Sequence, residues 1–315
     1  MLDILLTVLP VFILVGVGYG AVRSGYLKDD FADALNIFAV RIAVPVLLFR
    51  AMAGLELDQA FSPQLLISFY TGALVCFVGG IIVARTVFKR RPGEAVAVGF
   101  AGTFSNSVLL GLPIIERAHG GETMTMAFGI IALHAPLLYT IGMITMELMR
   151  RDGRTLRATL VGAFKSVLAN PLMAGILAGL AVNAAGIALP EPVQAAVDML
   201  AAAAIPVALV GIGAALTRYK LTAALPETLT VSGISLIVHP AIAFILSHHV
   251  FGLSSVAVHA AVTLAAMPPG VNIYIFASLY DRAVNLAAST LLMATALSVV
   301  SVTVWLYIID ALLPL

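Results

Sequence analysis

The chain has 315 residues, of which 61% are hydrophobic and only 10% charged, with a net charge of +1 and a mean hydropathy of +1.08. Soluble domains carry about 25% charged residues, so this composition excludes a soluble globular protein, and the scattered basic residues give no footprint for nucleic acid. At roughly 20 apolar residues per crossing, some ten membrane spans fit with short loops and no sizeable domain outside the bilayer.

The first span is expected over Leu2 to Val22, with Pro10, Gly16, Gly18 and Gly20; such glycines permit close helix approach. Met1-Leu2-Asp3-Ile4 lacks the basic start of a signal peptide, so this span is expected to be retained. A second span, Ala32 to Met52, holds Arg41 and Pro45, and a third, Gln64 to Phe88, ends in Lys89-Arg90-Arg91. The fourth, Ala95 to Ile115, is interrupted by Thr103-Phe104-Ser105-Asn106-Ser107 and by Gly111-Leu112-Pro113. The fifth, Met124 to Met149, contains His134 and Pro136, and a basic linker over 150–165 follows.

The second half repeats this plan. Span six, Ser166 to Ala185, has Asn170-Pro171; span seven, Val193 to Leu216, has Ile205-Pro206-Val207; span eight, Leu225 to Val250, has His239-Pro240. Span nine, Ser255 to Tyr280, is broken at Met267-Pro268-Pro269-Gly270-Val271-Asn272, and span ten runs from Val284 to Leu313. Val44-Pro45-Val46-Leu47-Leu48 matches Ile205-Pro206-Val207-Ala208-Leu209, and Pro10 with Gly18 matches Pro171 with Gly179. The expected architecture is all-α and polytopic: one five-helix repeat at 1–149, the linker at 150–165 and a second repeat at 166–315. Of the 17 Lys and Arg, 14 fall in loops after odd-numbered spans, which places those loops in the cytoplasm and both termini outside. An odd number of spans per repeat makes the halves inverted.

The two breaks carry the chemistry. Consecutive prolines remove backbone donors and clash with the preceding turn, and broken backbone at membrane depth is tolerated only against protein or a watery cavity. Asn106 and Asn272 follow the two breaks, and both runs exit through an acid-Arg-Ala tripeptide, Glu116-Arg117-Ala118 and Asp281-Arg282-Ala283. A single break would equally suit a proline-kinked packing helix. Matched breaks in corresponding positions of two halves point to the binding site of a secondary transporter. Ser105, Gly270 and Tyr274 flank the amides as further substrate-binding candidates.

Arg41 stands about 13 Å along its helix at 1.5 Å per residue, near the bilayer middle, with no acid at its depth. Two roles suit it: satisfying carbonyls exposed by a broken helix, or attracting an anionic substrate. His134 and His239 sit beside prolines and either bond a nearby carbonyl or relay a proton. His119, His248, His249 and His259 read as loop or span-end residues, and Trp305 with Tyr307 as an interfacial aromatic belt. The single cysteine, Cys76, rules out a disulfide framework and a cysteine zinc site. The chain holds no motif of a hydrolase, zinc enzyme or nucleotide-binding loop, so neither an enzyme nor a cofactor nor a metal is expected. The sixteen acids read as span-end or loop residues, which argues against cation exchange by buried carboxylates.

Asn106 in a broken fourth span and Pro268-Pro269-Gly270-Val271-Asn272 in the ninth resemble the auxin efflux carrier family, as do Val44-Pro45-Val46-Leu47-Leu48-Phe49 and Val238-His239-Pro240. The resemblance covers essentially the whole chain, and it implies Asn106 and Asn272 as crossover asparagines and Pro113 with Pro268 or Pro269 as crossover prolines. It implies a sodium/proton-antiporter-like or bile-acid-symporter-like fold, with spans 1, 2, 6 and 7 as scaffold and spans 3–5 and 8–10 as a moving transport domain. It implies a homodimer in the bacterial inner membrane that carries small organic anions, such as malonate, malate or auxin-like acids, by alternating access at the crossover. Arg41 is not part of the family pattern. A sodium- or proton-coupled symporter of larger amphipathic acids is the alternative, and a non-transporting membrane sensor or scaffold is the alternative of another class.

Overall fold

The computed structural model describes residues 1–56, 60–150, 161, 170–222 and 225–315. Apart from one isolated backbone bridge, their secondary structure is helical. Among the described residues, seven helices are long and apolar enough to cross a membrane: α1 (Leu2–Arg23), α2 (Asp30–Ala53), α3 (Pro63–Thr86), α6 (Gly121–Arg150), α8 (Glu191–Leu216), α9 (Leu225–Val250) and α12 (Val284–Leu312). The expected fourth span is two helices, α4 (Pro92–Ala101) and α5 (Leu112–Ala118), and the expected ninth is α10 (Ser255–Ala265) and α11 (Asn272–Tyr280). The sixth is described only from α7 (Pro171–Ala184), because the start expected at Ser166 lies outside the described residues. So does the basic linker, except for the backbone of Arg150 and for Val161.

Small residues set the packing. A Cβ on Gly18 of α1 would lie 1.9 Å from the Val210 carbonyl of α8, and one on Gly213 of α8 would lie 1.8 Å from the Val15 carbonyl of α1. The two backbones touch, which only glycine at these points allows. In the same way α7 meets α2, since a Cβ on Gly179 would lie 2.4 Å from the Phe49 carbonyl. Gly16 and Gly20, expected to serve like Gly18, have open space around them.

Prolines explain most of the irregular turns. Val44, Leu112 and His239 each precede a proline, and each donates its N–H to the carbonyl five residues back, at Ala39, Ser107 and Ile234. A proline cannot donate and crowds the carbonyl four residues before it, so the preceding turn widens into a π turn. Pro240 thereby orphans the Leu236 carbonyl. Trp305 of α12 answers it, donating Nε1–H at 2.9 Å. Trp305, expected in an interfacial belt, is thus a partly buried partner of a broken ladder.

Candidate functional site

The two breaks meet. Asn106 N–H donates to the Pro268 carbonyl at 2.8 Å, and Gly270 N–H donates to the Phe104 carbonyl at 3.1 Å, forming an antiparallel bridge between Ser105 and Pro269. Backbone groups freed where each helix ends are satisfied by the other, as the interior of a membrane protein requires. Past the bridge, Asn106 begins a helical run through the π turn Ser107–Gly111 into α5, and Asn272 begins α11. Both amides therefore sit at helix N-termini, where unpaired N–H groups carry partial positive charge.

A cavity of about 140 Å³ opens against this crossover. One wall is Phe104 to Leu109 with Val271, Asn272 and Ile275; α6 adds Ile131, His134 and Ala135; α2 and α7 close it with Val40, Leu48, Leu172, Met173 and Ile176. Pockets for drug-sized ligands run to roughly 300–1,000 Å³, so this one suits only a small molecule. Its polar side chains are Ser105, Asn106, Ser107, His134 and Asn272, and no charged side chain lines it among the described residues. The Ser105 and Ser107 hydroxyls bond each other at 2.8 Å. Tyr139 donates its hydroxyl to Asn272 Oδ1 at 3.1 Å, which leaves the amide nitrogen as the donor available to a ligand. Asn106 makes no side-chain hydrogen bond among the described residues. His134 Nε2 lies 3.1 Å from the Ser105 carbonyl, and since a carbonyl only accepts, this nitrogen carries the proton.

The other residues singled out in the sequence fall outside this lining. His239 is buried beneath it, its Nε2 donating to the Phe69 carbonyl at 3.3 Å, with the Phe69 ring between it and His134. Gly270 faces Asn106, where an added Cβ would make ordinary contacts at 3.5 Å. Tyr274 packs edge-on against Tyr219, centroids 4.9 Å apart. Pro268 and Pro269 are buried in the bridge. Arg41 lies in the π turn of α2 on the outward-facing side of the helix, whereas its neighbour Val40 lines the cavity.

Pro113 borders a second, larger cavity of about 640 Å³ between α1, α2 and α8 on one side and α5 and α6 on the other. Arg50, Glu116 and Arg117 line it; Arg50 approaches Asp198 at 3.4 Å, and Arg117 bonds the Thr7 carbonyl at 2.8 Å. Tyr139 and Ser107 were not evident as site residues from the sequence. Ser107 lay inside the broken motif, but nothing in the spacing links Tyr139 to Asn272 across 133 residues.

A family model described as membrane transport protein matches residues 3–306. A protein of Rhizobium meliloti (strain 1021) named "Putative malonate transporter" is 27% identical over 96% of this chain and 94% of its own length. An uncharacterized transporter of Methanothermobacter thermautotrophicus is 26% identical over 95% of this chain and 96% of its own. A lysosomal cholesterol signaling protein of Mus musculus is 28% identical over 56% of this chain but only 21% of its own length.

Proposed function

This chain belongs to the membrane transport protein family, the auxin efflux carrier family, and from that premise we propose that it is a secondary transporter of small organic anions. It is a multi-pass membrane transporter rather than an enzyme. The reading of its mechanism is carried by one observation: the broken stretches Phe104–Asn106 and Pro268–Gly270 pair through their backbones beside a small cavity that both asparagine amides line. A carboxylate in that cavity would receive hydrogen bonds from Asn106, from the Asn272 amide nitrogen and from the serine hydroxyls, at the positive ends of two helices. That arrangement favours an anion without a fixed counter-charge, so release is not held back by a buried ion pair.

The architecture we propose is ten spans as an inverted five-plus-five repeat. The pairing of α1 with α8 through Gly18, and of α7 with α2 through Gly179, supports it, because Gly18 and Gly179 occupy matching places in the two halves. In this arrangement α1, α2, α7 and α8 form the scaffold, and the remaining helices form a transport domain that moves against it. The small cavity lies along that boundary, bordered by α2 and α7 on the scaffold side. With odd-numbered loops in the cytoplasm, the larger cavity is the outer vestibule of an inner-membrane carrier.

Malonate is the first acid to test, since a relative bears its name. In liposomes, Asn106→Ala and Asn272→Ala should each cut uptake at least tenfold while thermal stability stays near that of the unaltered protein. Normal uptake by both variants would remove the crossover as the site. Absence of counterflow for every mono- and dicarboxylate would favour a sensor instead.

A further inference from the structure

A cluster outside the crossover joins three parts of the chain far apart in sequence. His119 follows α5, His259 lies in α10, and Asp310 is near the end of α12; their ligating atoms all lie within 4.8 Å of one another. His259 Nδ1 is 2.7 Å from the Ser255 carbonyl, which can only accept, so Nδ1 carries the proton. In the neutral ring Nε2 is then a lone pair, yet it faces Asp310 Oδ1, another acceptor, at 3.0 Å. His119 Nε2 faces the same oxygen from 3.9 Å; its side chain is only 5% exposed, and the atom makes no hydrogen bond. Two imidazole nitrogens and a carboxylate oxygen converge on one point.

Something positive belongs between them. An extra proton on His259 would satisfy that ring and Asp310, but would leave the buried His119 nitrogen without a partner. A metal ion satisfies all three. We propose that His119, His259 and Asp310 form a binding site for a divalent transition-metal ion of the zinc type.

The geometry suits such an ion. Ligands 2.0–2.2 Å from a tetrahedral centre lie roughly 3.3 Å apart, between the two separations from Asp310, and the two imidazoles, within 4.8 Å of one another, would draw in on binding. A ligating histidine ordinarily gives its other N–H to a backbone carbonyl, which fixes the tautomer, and the bond from His259 to Ser255 does this. Two imidazoles and one carboxylate suit zinc, iron or nickel and do not suit magnesium or calcium.

The site's place gives it a role. It ties the end of one broken span to the start of the other and to α12, and none of its residues lines the substrate cavity. A bound ion would clamp the crossover helices together without touching the substrate. No sequence motif marks it, because the three ligands are 140 and 51 residues apart.

The test uses the full-length protein in detergent, stripped with chelator and titrated with zinc sulfate by calorimetry and against a chromophoric chelator. One ion per chain is expected, with a raised thermal midpoint. Asp310→Asn and His259→Asn should each weaken binding at least tenfold and abolish the thermal shift. His248→Gln/His249→Gln, which alters the two histidines at the end of α9, should change neither. Unchanged affinity in both ligand variants, or loss of the ion in the His248/His249 variant, would overturn the proposal. If the ligand variants do not fold, cobalt decides with the unaltered chain. A low-symmetry visible spectrum that zinc abolishes supports the site, and a spectrum of hydrated cobalt alone overturns it.

Discussion

Tyr139 provides the most searching test of how the crossover binds an anion. Its hydroxyl donates to Asn272 Oδ1 at 3.1 Å, and its ring packs against Phe100 and Phe104 with centroids 5.5 and 5.4 Å away. Tyr139→Phe keeps the ring and removes only the bond that orients the amide. A neutral hydrogen bond contributes about 0.5–1.5 kcal/mol net, and at about 1.4 kcal/mol per tenfold the variant should bind malonate two- to tenfold more weakly. Asn272→Ala removes the donor to the carboxylate itself, about 1.5–3 kcal/mol, or roughly ten- to a hundredfold in affinity. Because Tyr139 acts through Asn272, the double variant should bind no worse than Asn272→Ala alone. Calorimetry on the four purified proteins closes the cycle, with thermal unfolding as the check that the aromatic packing survives. Additive losses would show that Tyr139 does not act by orienting the amide. An unchanged affinity in Asn272→Ala would refute the site.

Three further outcomes follow from the same structure. Trp305→Phe leaves the Leu236 carbonyl without its donor, an expected loss of about 1–3 kcal/mol read as a lower thermal midpoint. Adding Pro240→Ala restores a backbone N–H four residues on and should recover part of that loss; no recovery would mean that the indole contributes by packing alone. Arg41→Gln should leave the preference for dianions over monoanions unchanged, because Arg41 lies outside the cavity lining; a weakened preference would return it to the substrate path. Cysteines placed at Gln64 and Ile187 should react with a membrane-impermeant thiol reagent on whole cells, and one at Tyr26 should not, with the reverse pattern inverting the orientation.

Much of this was legible because membrane structure leaves few choices. A stretch such as Pro63–Thr86 cannot cross lipid except as a helix, so its apolar length alone predicts it. The break at Asn272 was legible for the converse reason, since a Pro-Pro-Gly run cannot remain helical, and the one at Asn106 was legible as its counterpart in the other half. What a single sequence does not hold is which groups become partners. That Asn106 N–H goes to Pro268, that Trp305 answers Leu236 and that Tyr139 holds Asn272 are facts of how distant helices meet.

Arg41 shows the limit most clearly. Depth along the helix could be counted from the sequence, and it singled Arg41 out. Which side of the helix faced the cavity depended on the π turn at Ala39–Ala43, which adds a residue to the turn and rotates everything before Pro45 relative to everything after it. A proline whose own position is plain in the sequence thus shifts the facing of its neighbours by an amount that only the finished ladder fixes. The same widening precedes Pro113 and Pro240, on the run that opens from Asn106 and on the helix that carries His239. Prolines in this chain therefore do two separable jobs. At Pro268-Pro269 they end a helix and expose backbone for the crossover; at Pro45, Pro113 and Pro240 they leave the helix continuous and reset which side chains it presents. Replacing one of the second kind by alanine should preserve the span and alter the facing, so its effect on transport should exceed its effect on stability.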